Sequence, residues 1–146
     1  MRLPGSVLFA CNHNAIRSPM AAAMLRHLHA RRIFVDSVGV RAMQIDPFTV
    51  AVMDELGINL RDHVSKSFDE LEDLSFDLVV SLTPEAQHSA VELTRSMACD
   101  VEYWPSFDVT AIEGSRAEIV AAYRSLRDAL WRRVQERFPP VSPGQV

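Results

Sequence analysis

The chain has 146 residues, 48% hydrophobic and 23% charged, which suits one globular domain with length enough for a core. A formal net charge of −4 excludes a general nucleic-acid binder, which needs clustered Lys and Arg, and no apolar run approaches the roughly 20 residues that cross a bilayer. Near the start only Val7 to Ala10 is apolar, too little for a signal peptide, and the two cysteines, Cys11 and Cys99, do not make a disulfide scaffold, so a cytoplasmic location is expected.

Ser6 to Ala10 reads as a short apolar strand. Pro19 to Arg32 reads as a helix, with Pro19 tolerated in the first turn and Met20, Met24, Leu25 and Leu28 at helical spacing. Ile33 to Val40 is a β-branched strand. Pro47 to Leu56 is a helix that Gly57 is placed to end. The acidic stretch Ser67 to Asp73 predicts a short helix with a solvated face. Phe76 to Leu82 has the continuous apolar centre of a buried parallel strand. Pro84 to Met97 is a helix and Asp100 to Trp104 a fourth strand. A long last helix covers Ser115 to Phe138, with Ile119, Tyr123, Leu126, Leu130 and Val134 on one stripe. Alternation of this kind predicts an α/β three-layer sandwich, a parallel sheet with helices on both faces. Residues 1–138 are expected to form a single domain. Pro139 to Val146, rich in Pro, is expected to be a flexible tail.

Between the first strand and first helix lies Cys11-Asn12-His13-Asn14-Ala15-Ile16-Arg17-Ser18, a Cys-x5-Arg-Ser segment. Ligands of open α/β sheets bind at the carboxyl ends of strands. A helix N-terminus adds free N–H groups and a positive dipole end. Residues 12–16 are therefore expected to cradle an oxyanion, with Asn14 suited to left-handed backbone geometry. In that field Cys11 favours thiolate, a nucleophile toward phosphorus. Arg17 has the planar fork that grips two phosphoryl oxygens, and the Ser18 hydroxyl has the sulfur within reach.

The stretch VLFACNHNAIRSPMAAAML resembles the low-molecular-weight protein tyrosine phosphatases and the arsenate reductases that share their fold. ELGINLRDHVSKSFDEL and FDLVVSL extend the likeness, so that it covers about Ser6 to Phe138. It implies a four-stranded parallel sheet and a general acid on a late loop. Asp108 stands at that position, where it would protonate the leaving oxygen and then activate water; by its local sequence alone it is a turn cap. Two departures from the family pattern stand beside it. The usual Asp-Pro is Asp108-Val109, and the aromatics that wall a phosphotyrosine slot are replaced by Val109, Thr110 and Ala111. Phe107 and Phe48 are the candidate substitutes.

The expected activity is metal-independent hydrolysis of phosphate monoesters, aryl esters in particular, through a phosphocysteine. The substrate is a phosphorylated protein or a small aryl phosphate, with no cofactor and no nucleic-acid or membrane partner. One alternative is arsenate reduction by an external thiol. The Cys-x-His-Asn-Ala pattern suits that branch, but residues 81–86 hold no relay cysteine and position 16 is Ile. Cys99 reads as apolar filler before it reads as a resolving thiol. A second alternative is a phosphate-binding regulator without catalysis. No His or Cys cluster has zinc spacing. His13 is assigned to loop shape, His27 and His29 to the surface, and His63 and His88 to structure. Met20, Met24, Met43 and Met53 are assigned to the core, and Trp104 to the cleft rim or the core.

Overall fold

The computed structural model describes residues 3–72 and 75–140. Four strands form one parallel sheet in the order β2-β1-β3-β4: β1 is Ser6–Cys11, β2 Phe34–Gly39, β3 Leu78–Ser81 and β4 Asp100–Tyr103. Four α-helices join or follow them: α1 Arg17–Leu28, α2 Pro47–Asp54, α3 Pro84–Leu93 and α4 Arg116–Arg137. From β1 the chain first winds outward to β2 and then returns to β3 on the other side. The C-terminal end of β1 is therefore a switch point, where the departing loops diverge and leave a crevice. Cys11 ends that strand opposite Gly39.

The strand alternation divides the core in two. Val7, Phe9 and Cys11 face α1, α2 and α4, whereas Leu8 and Ala10 face Ala86 and Ala90 of α3. Helices thus cover both faces, and the three-layer α/β reading holds. Phe9 anchors the thicker side, its ring edge-on to Trp104 at 5.9 Å and to Phe138 at 6.4 Å. Trp104 is only 3% exposed, so it belongs to the core and not the rim. On α4 the apolar stripe is buried at Tyr123, Leu126, Leu130 and Val134. Ser115 and Glu118 close its N-terminus as a reciprocal capping box.

Element ends differ from the sequence expectation for local reasons. α1 begins at Arg17 because the loop turns at Ile16, and it stops at Leu28 because His29 leaves helical geometry. α3 ends at Leu93, with Thr94–Ser96 continuing only as turns. Around the acidic run the structure has one 3-10 turn, Phe68–Glu70, and Asp73 lies outside the described residues. So do residues 141–146 of the expected tail. Gly57 does follow α2 with φ 74°, a left-handed conformation suited to Gly.

Two side chains expected elsewhere are relocated. His29 is buried, and its Nε2 lies 2.8 Å from the Phe138 carbonyl oxygen, which ties the ends of α1 and α4 together. Met43 is 55% exposed rather than in the core, because residues 40–46 run along the outside of the loop after β1.

Candidate functional site

The loop from Asn12 to Ile16 has its carbonyls turned outward and individually held. The oxygens of Cys11, Asn12 and His13 accept from the N–H groups of Val40 (2.9 Å), Arg41 (2.8 Å) and Met43 (3.0 Å). That of Ala15 accepts from Asp46 N–H at 3.1 Å, and that of Ile16 from Met20 N–H at 3.1 Å. Two side chains clasp the Asn14 carbonyl, Ser65 Oγ at 2.7 Å and His63 Nε2 at 3.1 Å. By contrast, none of the amide N–H groups from Asn12 to Ile16 has a partner among the described residues. A ring with its acceptors engaged outside and its donors free inside is a concave anion site.

Asn14 makes this reversal possible. It has φ 51°, the single left-handed non-glycine position among the described residues. Its fully buried amide locks the conformation: Nδ2 donates to Ser18 Oγ (2.8 Å) and Ser37 Oγ (2.9 Å), and Oδ1 accepts from Lys66 N–H at 3.0 Å. Burial pushes the His63 imidazole below its usual pKa, which keeps it neutral beside Arg26 and Lys66. Gly39 allows β2 to pass close behind; a Cβ there would meet Arg41 O and lie 2.6 Å from Asn14 N.

Cys11 is 2% exposed. Its sulfur lies 2.9 Å from Ser18 Oγ and accepts from Ser18 N–H at 3.4 Å. In the thiolate form the Ser18 hydroxyl donates to sulfur; in the thiol form it is free to donate to Val38 O, 3.2 Å away. A cavity of about 60 Å³ opens over the sulfur, lined by Cys11, Asn12, His13, Ala15, Ile16, Arg17, Asp108 and Thr110. The structure therefore gathers seven of the nine residues singled out in the sequence as lining. The other two, Asn14 and Ser18, stand behind as supports. Arg17 Nη1 donates to Ser106 O at 3.0 Å, a contact that aims its guanidinium from the loop after β4.

Asp108 caps the 3-10 turn Val109–Ala111, with Oδ1 accepting from Thr110 N–H (3.0 Å) and Thr110 Oγ1 (2.6 Å). It is a turn cap and a cavity wall at once. The Thr110 hydroxyl bond holds its pKa below the ordinary carboxylate value against the opposing effect of burial, helped by the Thr110 N–H and by the fields of Arg17 and His13. Val109, in the place of the usual proline, is 2% exposed and packs into the core. Neither aromatic candidate reaches the cavity. Phe48 packs in a tilted arrangement against Tyr123, ring centroids 5.2 Å apart, under the Arg116 guanidinium, and Phe107 borders a separate cavity of about 320 Å³ against α4.

Cys99 lies on the opposite side of the sheet from Cys11, packed against the α3 cluster. Burial and Asp100 raise its thiol pKa. Ser37, His63, Ser65, Lys66, Thr83 and Ser106 also support the site; the His63-x-Ser65-Lys66 spacing is the one signal of them in the sequence. Among the described residues no three His, Cys, Asp or Glu side chains cluster as metal ligands, and no helix is long and apolar enough to cross a membrane.

The fold and this loop define an α/β domain built to hold a small oxyanion against a buried cysteine. The model of the low molecular weight phosphotyrosine protein phosphatase family matches residues 6–137, and the chain belongs to that family of cysteine-dependent enzymes. It is 30% identical over 129 residues to an arsenate reductase of Halalkalibacterium halodurans, spanning 88% of this chain and 91% of that one. It is 25% identical over 142 residues to a glutaredoxin arsenate reductase of Synechocystis, spanning 93% and 98%. The fold superposes on a tyrosine phosphatase of Erwinia amylovora with TM-score 0.75 at 20% identity, covering 92% of this chain and 91% of that one.

Proposed function

We propose that this protein hydrolyses phosphate monoesters through a phosphocysteine on Cys11. The observation that carries the reading is the shared cavity: nucleophile, guanidinium and carboxyl line one space sized for a phosphoryl group. The Cys11 thiolate attacks phosphorus in line with the leaving oxygen. The free N–H groups of Asn12, His13, Ala15 and Ile16 and the Arg17 guanidinium hold the three equatorial oxygens, where charge concentrates in the transition state. Asp108 delivers the proton to the leaving oxygen. In the second step its carboxylate takes a proton from water, which attacks phosphorus and releases Cys11 as the thiolate that Ser18 stabilises.

Asp108 is held ionised in the free protein, so its service as an acid depends on the substrate. A bound dianion neutralises the field of Arg17 and raises the carboxyl pKa at the moment a proton is needed.

The curated relatives named above are arsenate reductases, and arsenate has the charge and shape of phosphate, so the same loop would accept it. The absence of a second thiol on the Cys11 side favours hydrolysis here, since reduction needs a thiol to resolve the adduct. The test measures turnover of an aryl phosphate in the presence of a chelator. Wild type is expected to turn over and Cys11→Ser to lose at least about 1,000-fold, the scale of losing a covalent step. Absence of Cys11-dependent turnover, together with arsenate-dependent oxidation of an added thiol, would transfer the site to reduction. If both activities were absent while phosphate still bound, a binding protein would be left.

A further inference from the structure

The cavity of about 60 Å³ over Cys11 matches a phosphoryl group in size, so the leaving group extends beyond it. Next to it is a second cavity of about 250 Å³, lined by Asn12, His13, Val40, Arg41 and Glu85. The two share Asn12 and His13. Asn12 also fixes both walls of the second cavity. Its carbonyl accepts from Arg41 N–H at 2.8 Å, and its Oδ1 accepts from Thr83 Oγ1 at 2.6 Å. Thr83 is the N-cap of α3, whose first turn carries Glu85. The guanidinium and the carboxylate are therefore presented by backbone pinned to the catalytic loop itself.

Arg41 and Glu85 have opposite charges, border one space and do not pair with each other. Neither makes an ion pair or a side-chain hydrogen bond among the described residues. An anionic leaving group would meet Glu85 unfavourably, and a cationic one Arg41. A group with both charges satisfies both. Resting on the phosphatase reading above, we propose that the second cavity receives a zwitterionic leaving group and that the substrate is a phosphate ester of a free amino acid. The carboxylate faces Arg41, the ammonium faces Glu85 and the carbon chain lies over Val40. Within a peptide chain both charges are lost to amide bonds, so the backbone of a phosphoprotein gains neither contact.

Four aryl phosphates with the same phenolic leaving oxygen test the proposal: O-phospho-L-tyrosine, O-phosphotyramine, 3-(4-phosphonooxyphenyl)propionate and p-tolyl phosphate. They carry both charges, the ammonium alone, the carboxylate alone and neither. Two exposed ion pairs predict a kcat/KM for phosphotyrosine about tenfold above that for p-tolyl phosphate. That ratio should fall toward one in both Arg41→Gln and Glu85→Gln. N-acetyl-phosphotyrosine amide should behave like the p-tolyl ester. Equal kcat/KM across the four, a ratio that survives both substitutions, or a blocked amino acid as good as the free one would each overturn the proposal. If no ester is turned over, the phosphatase reading fails separately. The dissociation constants of the same compounds for Cys11→Ser then decide the cavity on their own, by the same ranking or its absence.

Discussion

Asp108 and Thr110 form the residue pair on which acid catalysis turns. Two hydrogen bonds from Thr110 stabilise the carboxylate of Asp108, and only its protonated form can serve the leaving group. Thr110→Val removes the hydroxyl bond, the largest cause of the lowered pKa, so the pKa should rise. In the phosphatase reading the alkaline limb of the kcat/KM profile, which reports the free enzyme's acid, should move to higher pH. A limb that stays put or moves down would remove Asp108 from that role. Asn14 is the other decisive residue. Its three side-chain hydrogen bonds are all buried or part-buried, and without them a left-handed backbone that costs of order 1 kcal/mol or more at a non-glycine residue is held only through the Ser65 and His63 contacts to its carbonyl.

Between elements, the loop depends on how closely β2 passes it. Gly39→Ala would push a methyl into the backbone of residues 13 and 14. It should cost about 1–3 kcal/mol of unfolding free energy, as overpacking does, and should abolish phosphate binding. Denaturant unfolding and isothermal titration measure the two effects. Normal binding in that variant would mean that the loop tolerates displacement.

A different inter-element tie holds α2 to α4. Glu55 accepts from Arg124 Nε (2.9 Å) and Nη2 (2.7 Å), and from Arg127 Nη1 (2.7 Å). The Arg124 and Arg127 bonds lower its pKa from 4.5 to about 2. A depressed carboxyl contributes stability that is fully present above its unfolded value and lost as pH falls through the folded one. The difference in melting temperature between wild type and Glu55→Gln should therefore be constant above about pH 5 and close between pH 4.5 and 2. A difference independent of pH would assign the effect to packing.

For the whole molecule, ligand binding and folding are linked because the anion site exists only when segments separated in the chain meet. Phosphate at a hundredfold excess over Kd should stabilise the protein by about 2.7 kcal/mol, roughly 5–10 °C in Tm. Arg17→Gln should lose most of that shift, as calorimetry would show. A shift retained in Arg17→Gln would place phosphate elsewhere.

The chemistry of the loop was legible in the sequence because its parts are contiguous: Cys11, Asn14, Arg17 and Ser18 lie within one strand-loop-helix unit whose periodicity is plain. The layer architecture was legible for the same reason, since strand and helix patterns are local. His29 and Met43 were misplaced because burial depends on what another segment covers; the end of α4 buries His29, while nothing covers Met43. The hold of other segments on the loop carbonyls, the aim of Arg17 by Ser106 and the placing of Asp108 over Cys11 join residues 29 to 97 positions apart. Only the crossing of the chain at the end of β1 decided those, and the unpaired Arg41 and Glu85 beside the site came into view with it. Sequence by itself determined an oxyanion, a thiolate and a clamp. Tertiary structure decided what faces them, because charges far apart in the chain act on one another only once the sheet has brought them to one edge.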